Sequence, residues 1–232
     1  MSRSERLRIE TTAEIKKIAL ELLTSGGPGA ITLRAIAREI GMTPNAIYGY
    51  FATRDDLVTT LISDVFTSLA DTLDAATAAV ASTAPGGRMQ AWGHAYRTWA
   101  LANPEGFRLI YGDAVPGYLA PDGGAAPDAQ LRVCIGLTAL TAAAWPQAAH
   151  LHADSAFEWS DFDELFLDPV RPAFPDLPAA GLALALRIWG RLHGLVTLEI
   201  YGQLPAQAMN MDKLFREELT QVVRSLGIEP QN

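Results

Sequence analysis

The sequence lacks the features that mark secreted proteins, membrane proteins and most enzymes. A single cysteine, Cys134, among 232 residues excludes an internal disulfide framework and is compatible with a reducing compartment. No apolar run reaches the roughly 20 residues of a membrane helix, and the charged N-terminus does not resemble a secretory signal. Glycine-rich phosphate loops, paired cysteine ligands and the common hydrolase and metalloprotease motifs are also missing. The sequence therefore predicts a cytoplasmic protein that is not an enzyme, with no cofactor, metal ion or catalytic residue.

The chain is acidic, but its charge is unevenly distributed. Hydrophobic residues make up 49% and charged residues 19% of the sequence, which excludes a disordered chain, and the net charge is −8. Residues 1–56 hold eight basic and seven acidic residues, a balance of +1, whereas residues 57–232 hold ten and nineteen, a balance of −9. An acidic body repels duplex DNA at long range. If the first segment binds DNA, we expect a few well-placed phosphate contacts, a dimer and a marked salt dependence.

Residues 32–54 form the stretch around which the chain is organised. Thr32 is a favourable N-cap, and an apolar stripe with helical spacing follows it. Gly41 stands where a helix ends in a left-handed residue, and Thr43 and Pro44 supply an N-cap and a first helical residue for a new helix. Two short helices joined by a tight turn are typical of a helix-turn-helix. The alternative is a helical hairpin buried in an all-α core.

The outward face of the second helix favours DNA binding over that alternative. A solvated helix face usually carries Lys and Glu, whereas this one carries Asn, Tyr and Thr with arginines nearby. Such side chains bond phosphates and base edges. The residues predicted to contact DNA are Thr32, Arg34, Thr43, Pro44, Asn45, Tyr48, Tyr50 and Arg54.

The runs ITLRAIA at 31–37, GMT at 41–43, IYGYF at 47–51 and RDDL at 54–57 resemble the DNA-binding signature of the TetR/AcrR family of bacterial regulators. The resemblance covers about residues 8–60. It implies that Tyr48 is a tyrosine that touches the DNA backbone. Tyr50 and Arg54 stand where the family usually has histidine and lysine, and both keep a group that can bond phosphate.

Helical periodicity continues through the chain and predicts an all-α fold of about nine helices. A three-helix DNA-binding domain is predicted at 1–56, with a flexible arm at 3–8 and helices at about 8–25, 32–40 and 44–51. The arm carries Arg3, Arg6 and Arg8 and is either a frayed terminus or a phosphate or minor-groove contact. Helix 4, at about 54–81, links it to a ligand-sensing and dimerisation domain at 57–232. Further helices are predicted at two places within 89–112, divided at Asn103-Pro104, and at 127–145, 179–203 and 209–226.

The second domain has a surplus of aromatic rings, which are typical of a core and also line apolar ligand cavities. The residues predicted to line such a cavity are Trp92, Tyr96, Trp99, Phe107, Tyr111, Trp145, Trp189 and His193. A lone histidine on an apolar helix is more often a hydrogen-bonded core residue, which is the alternative for His193. The phrases at 100–107 and 188–196 resemble TetR-like second domains, the latter of the tryptophan-histidine-glycine branch.

Residues 150–178 combine two histidines, several carboxylates and four prolines. A metal site is one interpretation of this composition. A solvated acidic insertion is favoured, because histidines two positions apart do not share a helix face. Its aromatic residues indicate that the segment packs against the body.

The resemblance implies a homodimeric transcriptional regulator, more often a repressor, that pairs through its last two helices. A hydrophobic or aromatic effector would release it from a palindromic operator. The alternatives are a helical small-molecule-binding protein or a helical enzyme without operator binding, and no residue spacing supports the enzyme. The sequence identifies neither the operator, the effector nor the sign of regulation.

Overall fold

The computed structural model describes residues 2–229, and within that range the chain forms ten α-helices and no strand, which confirms the all-α prediction. The helices are α1 (Arg3–Gly26), α2 (Leu33–Glu39), α3 (Pro44–Ile47), α4 (Arg54–Ala78), α5 (Pro85–Ala102), α6 (Pro104–Tyr111), α7 (Pro127–Ala148), α8 (Glu164–Ala173), α9 (Ala179–Ile200) and α10 (Met211–Ser225). Short 3₁₀ turns lie at Pro28–Ala30, Ala149–His152 and Trp159–Asp161. No helix within residues 2–229 has both the length and the hydropathy of a membrane span.

The chain divides into two compact units. The first runs up to Ser68 and resumes at Asn103–Ala129, and the second comprises Leu69–Ala102 and the chain from Gln130 onward. The helix α4 therefore contributes its beginning to the first unit and its end to the second. The division into DNA-binding and sensing domains at residue 56 is a functional one and stays a prediction.

The N-terminal arm predicted at 3–8 is wrong, because α1 begins at Arg3. Ser2 caps the helix: its Oγ accepts from the Glu5 backbone N–H at 3.2 Å, and the Glu5 carboxylate accepts from the Ser2 N–H at 2.6 Å. This reciprocal capping box satisfies two backbone donors that a frayed end would leave to water. The signal was present in the sequence as a serine followed three positions later by glutamate.

The predicted caps of α2 and α3 are confirmed. The hydroxyl oxygens of Thr32 and Thr43 accept from the N–H groups three residues ahead, at 3.1 Å and 3.3 Å. Gly41 has φ = 68°, the left-handed conformation that a β-carbon disfavours, and it turns the chain between the helices. The helix α3 ends at Ile47 rather than at residue 51, and the chain continues in tight turns in which the Tyr50 N–H bonds the Ile47 carbonyl at 2.9 Å.

In the second unit, α5, α9 and α10 pack on one another. Arg97 of α5 joins the three helices, since its guanidinium donates twice to Glu199 of α9, at 2.6 and 2.7 Å, and once to Asp212 of α10, at 2.7 Å. The Arg97 and Glu199 side chains are only 14% and 10% exposed. We call the partly desolvated ion-pair network of Arg97, Glu199 and Asp212 the Arg97 clasp. It connects helices that are about a hundred residues apart in sequence.

The helix α7 extends past Pro146 to Ala148, three residues beyond its predicted end, and it is not buried on all sides, because Ala143 and Gln147 are exposed.

The acidic segment at residues 150–178 contains a helix, α8, where the sequence predicts none. The Asp163 carboxylate caps α8 by accepting from two backbone N–H groups at 2.9 and 3.3 Å. Apolar residues of α8 form a small core with Leu177 and with Leu182 of α9, so the expectation that the segment packs down is confirmed. Among residues 2–229 no three His, Cys, Asp or Glu side chains lie close enough together to hold a metal ion.

Candidate nucleic-acid interface and aromatic cluster

Most residues predicted to contact DNA have accessible side chains. Thr32, Arg34, Thr43, Pro44, Asn45 and Tyr48 are exposed, and Tyr50 and Arg54 are partly buried. Tyr48 is 52% exposed, which is unusual for a large aromatic residue, while Ile47 beside it is fully buried. Because Ile47 and Phe51 anchor the turn in the core, Asn45 and Tyr48 project from a fixed backbone. Their amide and hydroxyl groups are the kinds that bond base edges and phosphates.

Tyr50 is positioned by Arg8 of α1. The Arg8 guanidinium donates to the Gly49 carbonyl at 2.9 Å, and its central carbon lies 5.2 Å from the centre of the Tyr50 ring. This geometry is a cation–π contact combined with a hydrogen bond to residues 48–50, the turn after α3, which we call the recognition turn. The sequence alone leaves the role of Arg8 open between solvent and DNA, because no local pattern connects residue 8 with residues 49 and 50.

Arg54 occupies a different setting from the other predicted DNA contacts. Its Nε donates to the Ile31 carbonyl at 2.6 Å, and its Nη1 donates to the Pro116 carbonyl at 3.0 Å. Near it, the Leu119 N–H donates to the Asp55 carboxylate at 3.3 Å. Arg54 thus holds the start of α4 to the chain before α2 and to the loop after α6. A phosphate contact by Arg54 stays a prediction. It would use the guanidinium N–H donors that do not take part in these two hydrogen bonds.

Four of the eight residues predicted to line a ligand site come together in an aromatic cluster comprising Trp92, Tyr96, Trp189 and His193. Trp92 stacks on Tyr96 with ring centres 5.4 Å apart, and Trp189 stacks on His193 at 4.6 Å. The two pairs meet where the edge of Trp189 contacts Tyr96 at 5.3 Å. Each pair is separated by four positions on one helix, α5 or α9, so one face of each helix supplies it.

The aromatic cluster also contains polar groups. The Tyr96 hydroxyl and the His193 Nδ1 lie 2.7 Å apart, and the Thr197 hydroxyl lies 3.3 Å from Nε2. Burial lowers the pKa of His193, because desolvation disfavours the charged ring. In contrast, the Trp92 indole nitrogen is buried and has no hydrogen-bond partner among the described residues. The site is therefore apolar and largely uncharged, with one donor unsatisfied.

The other four predicted lining residues lie elsewhere. Trp99 is buried on α5, and Trp145 packs with the small α8 core and stacks on His152 at 6.2 Å. Phe107 and Tyr111 belong to the first unit, where their rings lie 5.2 Å apart. Burial raises the pKa of the Tyr111 hydroxyl. A ligand role for these four residues stays a prediction.

Two family models match the chain. The model described as bacterial regulatory proteins of the tetR family matches residues 15–61, and the one described as the tetracyclin repressor-like C-terminal domain matches residues 89–222. The second match alone spans more than half of the chain. The chain belongs to the TetR family. The resemblance carried by residues 31–57 is thereby confirmed, and the tryptophan-histidine-glycine phrase is consistent with the C-terminal match.

Relatives and solved structures agree with this assignment. HTH-type transcriptional regulators of Mycobacterium tuberculosis (Rv1816) and Mycobacterium bovis (Mb1846) are each 32% identical over 204 residues, 87% of this chain and 86% of the relative. The crystal structure of a regulatory protein designated SCO4313 is 34% identical, with 96% of this chain and 98% of that chain covered and a TM-score of 0.70. A tetR-family protein from Rhodococcus RHA1 has the same fold, with a TM-score of 0.66. It is 20% identical, and the match covers 94% of this chain and 98% of that chain.

This TetR-family protein is a transcriptional regulator, for which DNA binding and dimer formation are typical.

Proposed function

We propose that this TetR-family regulator is a repressor that binds a palindromic operator as a homodimer and leaves it when a hydrophobic or aromatic effector binds. The observation that carries the DNA part is the capped helix-turn-helix, in which Asn45 on α3 and Tyr48 directly after it are exposed while Ile47 is buried. A dimer places two such helices in successive major grooves when they lie about 34–36 Å apart.

On the operator, α3 enters the major groove and Asn45 bonds a base edge. Tyr48, Tyr50 and the exposed threonines and arginine around the turn bond phosphates. With a balance of only +1 in the first 56 residues, non-specific attraction is weak. Binding therefore depends on two half-sites held together and falls steeply with salt.

The dimer forms through α9 and α10, as in the four-helix arrangement that the family resemblance implies. Leu186 and Leu198 are exposed on α9, although such residues are usually buried. A β-carbon added at Gly190 or Gly194 would meet no atom within 4 Å, so α9 offers a surface that another helix can approach closely. The apolar residues and the two glycines together support a helix–helix contact.

The effector binds at the aromatic cluster, whose rings match a hydrophobic or aromatic molecule. It releases DNA only if it binds the released conformation more tightly than the DNA-bound one, and only to the extent of that difference. A regulator of this kind acts in the cytoplasm, where the chromosome lies.

The test is a gel shift with the DNA that flanks the protein's own gene, with one or both halves of any palindrome scrambled. We expect one retarded complex with two protomers per site and a loss of binding when either half is scrambled. An Asn45→Ala variant serves as the specificity control. If the protein shifts no duplex even in dilute buffer, operator binding is refuted. If it binds DNA but no hydrophobic compound weakens that binding, release by a hydrophobic effector is refuted.

A further inference from the structure

The indole N–H of Trp92 is a buried donor without an acceptor. Trp92 is 1% exposed, and its Nε1 has no hydrogen-bond partner among residues 2–229. Buried donors in native proteins are nearly always paired, because water no longer satisfies them. The neighbouring polar groups do not supply the missing acceptor, since the Tyr96 hydroxyl and His193 Nδ1 bond each other. This N–H is thus available to an acceptor from outside the chain.

The indole nitrogen of Trp92 lies beside Gly136 of α7, where no side chain fills the space that a β-carbon would take. A β-carbon built on Gly136 would have the Trp92 Nε1 as its only neighbour within 4 Å outside its own helix, at 3.9 Å. Gly136 itself is partly exposed, as is Ile135 beside it. The lack of a side chain at residue 136 therefore leaves space beside the indole nitrogen, next to residues that are partly exposed.

The rings around Trp92 hold this donor in one orientation. Its indole stacks on Tyr96 with an angle of only 12° between the ring planes, and Trp189 meets it edge-on at 6.3 Å. A fixed donor in an apolar setting binds an acceptor without the cost of ordering its own side chain. It also discriminates strongly against analogues that lack the acceptor, because the N–H is then left unpaired.

The charge of the surroundings selects the kind of acceptor. Arg97, on the same helix as Trp92, is engaged by Glu199 and Asp212 in the Arg97 clasp. A carboxylate placed against a neutral indole in an apolar site would remain largely uncompensated, which is costly. A neutral oxygen, as in a ketone, aldehyde, ester or quinone, accepts the hydrogen bond without that cost.

We propose that the effector is an apolar or aromatic carbonyl compound whose neutral oxygen accepts a hydrogen bond from Trp92 Nε1–H in the space beside Gly136. This inference rests on the proposed effector site and adds to it the functional group that the site recognises.

The test compares two probes of nearly equal shape, acetophenone and ethylbenzene, which differ in the carbonyl oxygen. Both are titrated into ¹⁵N-labelled protein while the tryptophan indole N–H signals are followed, with the Trp92 signal assigned from the Trp92→Phe variant. We expect acetophenone to shift the Trp92 signal downfield and to bind at least about tenfold more tightly than ethylbenzene. Equal affinity, an unmoved Trp92 signal, or no binding of either probe at millimolar concentration would overturn the proposal.

Three variants separate recognition from folding. Trp92→Phe should bind both probes equally, whereas the matched control Trp159→Phe, in the α8 core, should keep the preference for acetophenone. Gly136→Ala should weaken acetophenone binding while raising the melting temperature, because alanine favours a helix interior over glycine. If Gly136→Ala instead binds acetophenone as the wild type does, the space beside Gly136 is not the site.

These measurements use no DNA, so they can fail or succeed independently of the proposed repressor function. If the protein discriminates between the probes but binds no duplex, the carbonyl site is supported and operator binding is not. Normal operator binding with no discrimination between the probes would remove the carbonyl site alone.

Discussion

The helix-turn-helix and the aromatic cluster are built by interactions of very different range. In the first, the threonine caps connect residues three positions apart, and Gly41 turns the chain through its own backbone conformation. In the second, Tyr96 and His193 are 97 positions apart, and Arg97 reaches Glu199 across 102. The predicted DNA-reading surface is therefore specified locally, whereas the proposed sensing surface exists only once distant helices have packed.

We expect the largest loss of stability from a substitution in the second unit, where residues distant in sequence are in contact. Arg97→Met removes the positive partner of Glu199, whose side chain is 10% exposed, and leaves a largely desolvated carboxylate without its bidentate partner. Loss of one partner of a buried ion pair costs about 3–5 kcal/mol of unfolding free energy. Urea denaturation measures it, and Lys213→Ala, which breaks an exposed pair with Glu217, should change little. Equal effects of the two variants would show that the Arg97 clasp is not a major source of stability.

An Arg54 variant tests whether the stability of the helix-turn-helix depends only on contacts between near neighbours in sequence. Arg54→Ala removes hydrogen bonds from a charged group to the Ile31 and Pro116 carbonyls, so we expect a loss of about 2 kcal/mol in unfolding free energy. DNA affinity measured at a temperature where the variant is folded then reports any phosphate contact separately. A variant of unchanged stability with weakened DNA binding would make Arg54 a phosphate ligand only.

Asn45 and Tyr48 separate base reading from backbone binding. Asn45→Ala should cost about 1–3 kcal/mol on the preferred operator and relax the preference at one base pair in each half-site. Tyr48→Phe should instead weaken binding to all duplexes by a similar factor, because it removes a phosphate donor. Binding curves on an operator and on its single-base variants distinguish the two patterns, and unchanged affinity in both variants contradicts the contact assignment.

Arg8 should act on DNA through Tyr50 and therefore have a smaller effect. Arg8→Ala removes a cation–π contact worth about 0.5–1 kcal/mol at an exposed site and frees the recognition turn. The salt dependence of binding provides the control. Arg34→Ala, if it removes a phosphate contact, lowers the slope of log affinity against log salt by about 0.9 per site, whereas Arg8→Ala should leave it unchanged. A reduced slope for Arg8→Ala would make Arg8 a direct phosphate ligand.

The smallest effect concerns pH and the aromatic cluster. Burial holds the pKa of His193 below its ordinary value of 6.5. An unfolded chain takes up this proton near pH 6.5 and the folded chain only at lower pH, so stability falls as the pH falls through the interval between the two values. His193→Gln should reduce the difference in unfolding free energy between pH 7.5 and 5.5. The same difference in both proteins would show that His193 does not contribute.

The contrast in range explains what could be predicted from the sequence. Thr32, Gly41, Thr43 and Pro44 identified the helix-turn-helix, since each acts on neighbours within four positions. The helix α8 was missed because Pro169 and Pro172 indicated a break, although the Asp163 cap and the apolar residues after it were readable as a helix start. The eight predicted lining residues separated into different clusters, because periodicity shows which residues share a helix face and not which faces meet.

The loop that Arg54 and Asp55 hold has a practical consequence. Leu119 is tied to Asp55 through its backbone N–H, yet its side chain is 80% exposed. The natural thiol, Cys134, is partly buried, and burial raises its pKa, which slows its alkylation. A fluorescent dye attached through Leu119→Cys would therefore label one place selectively, next to the start of α4. The regulator could in this way be converted into an optical biosensor for the compounds to which it responds.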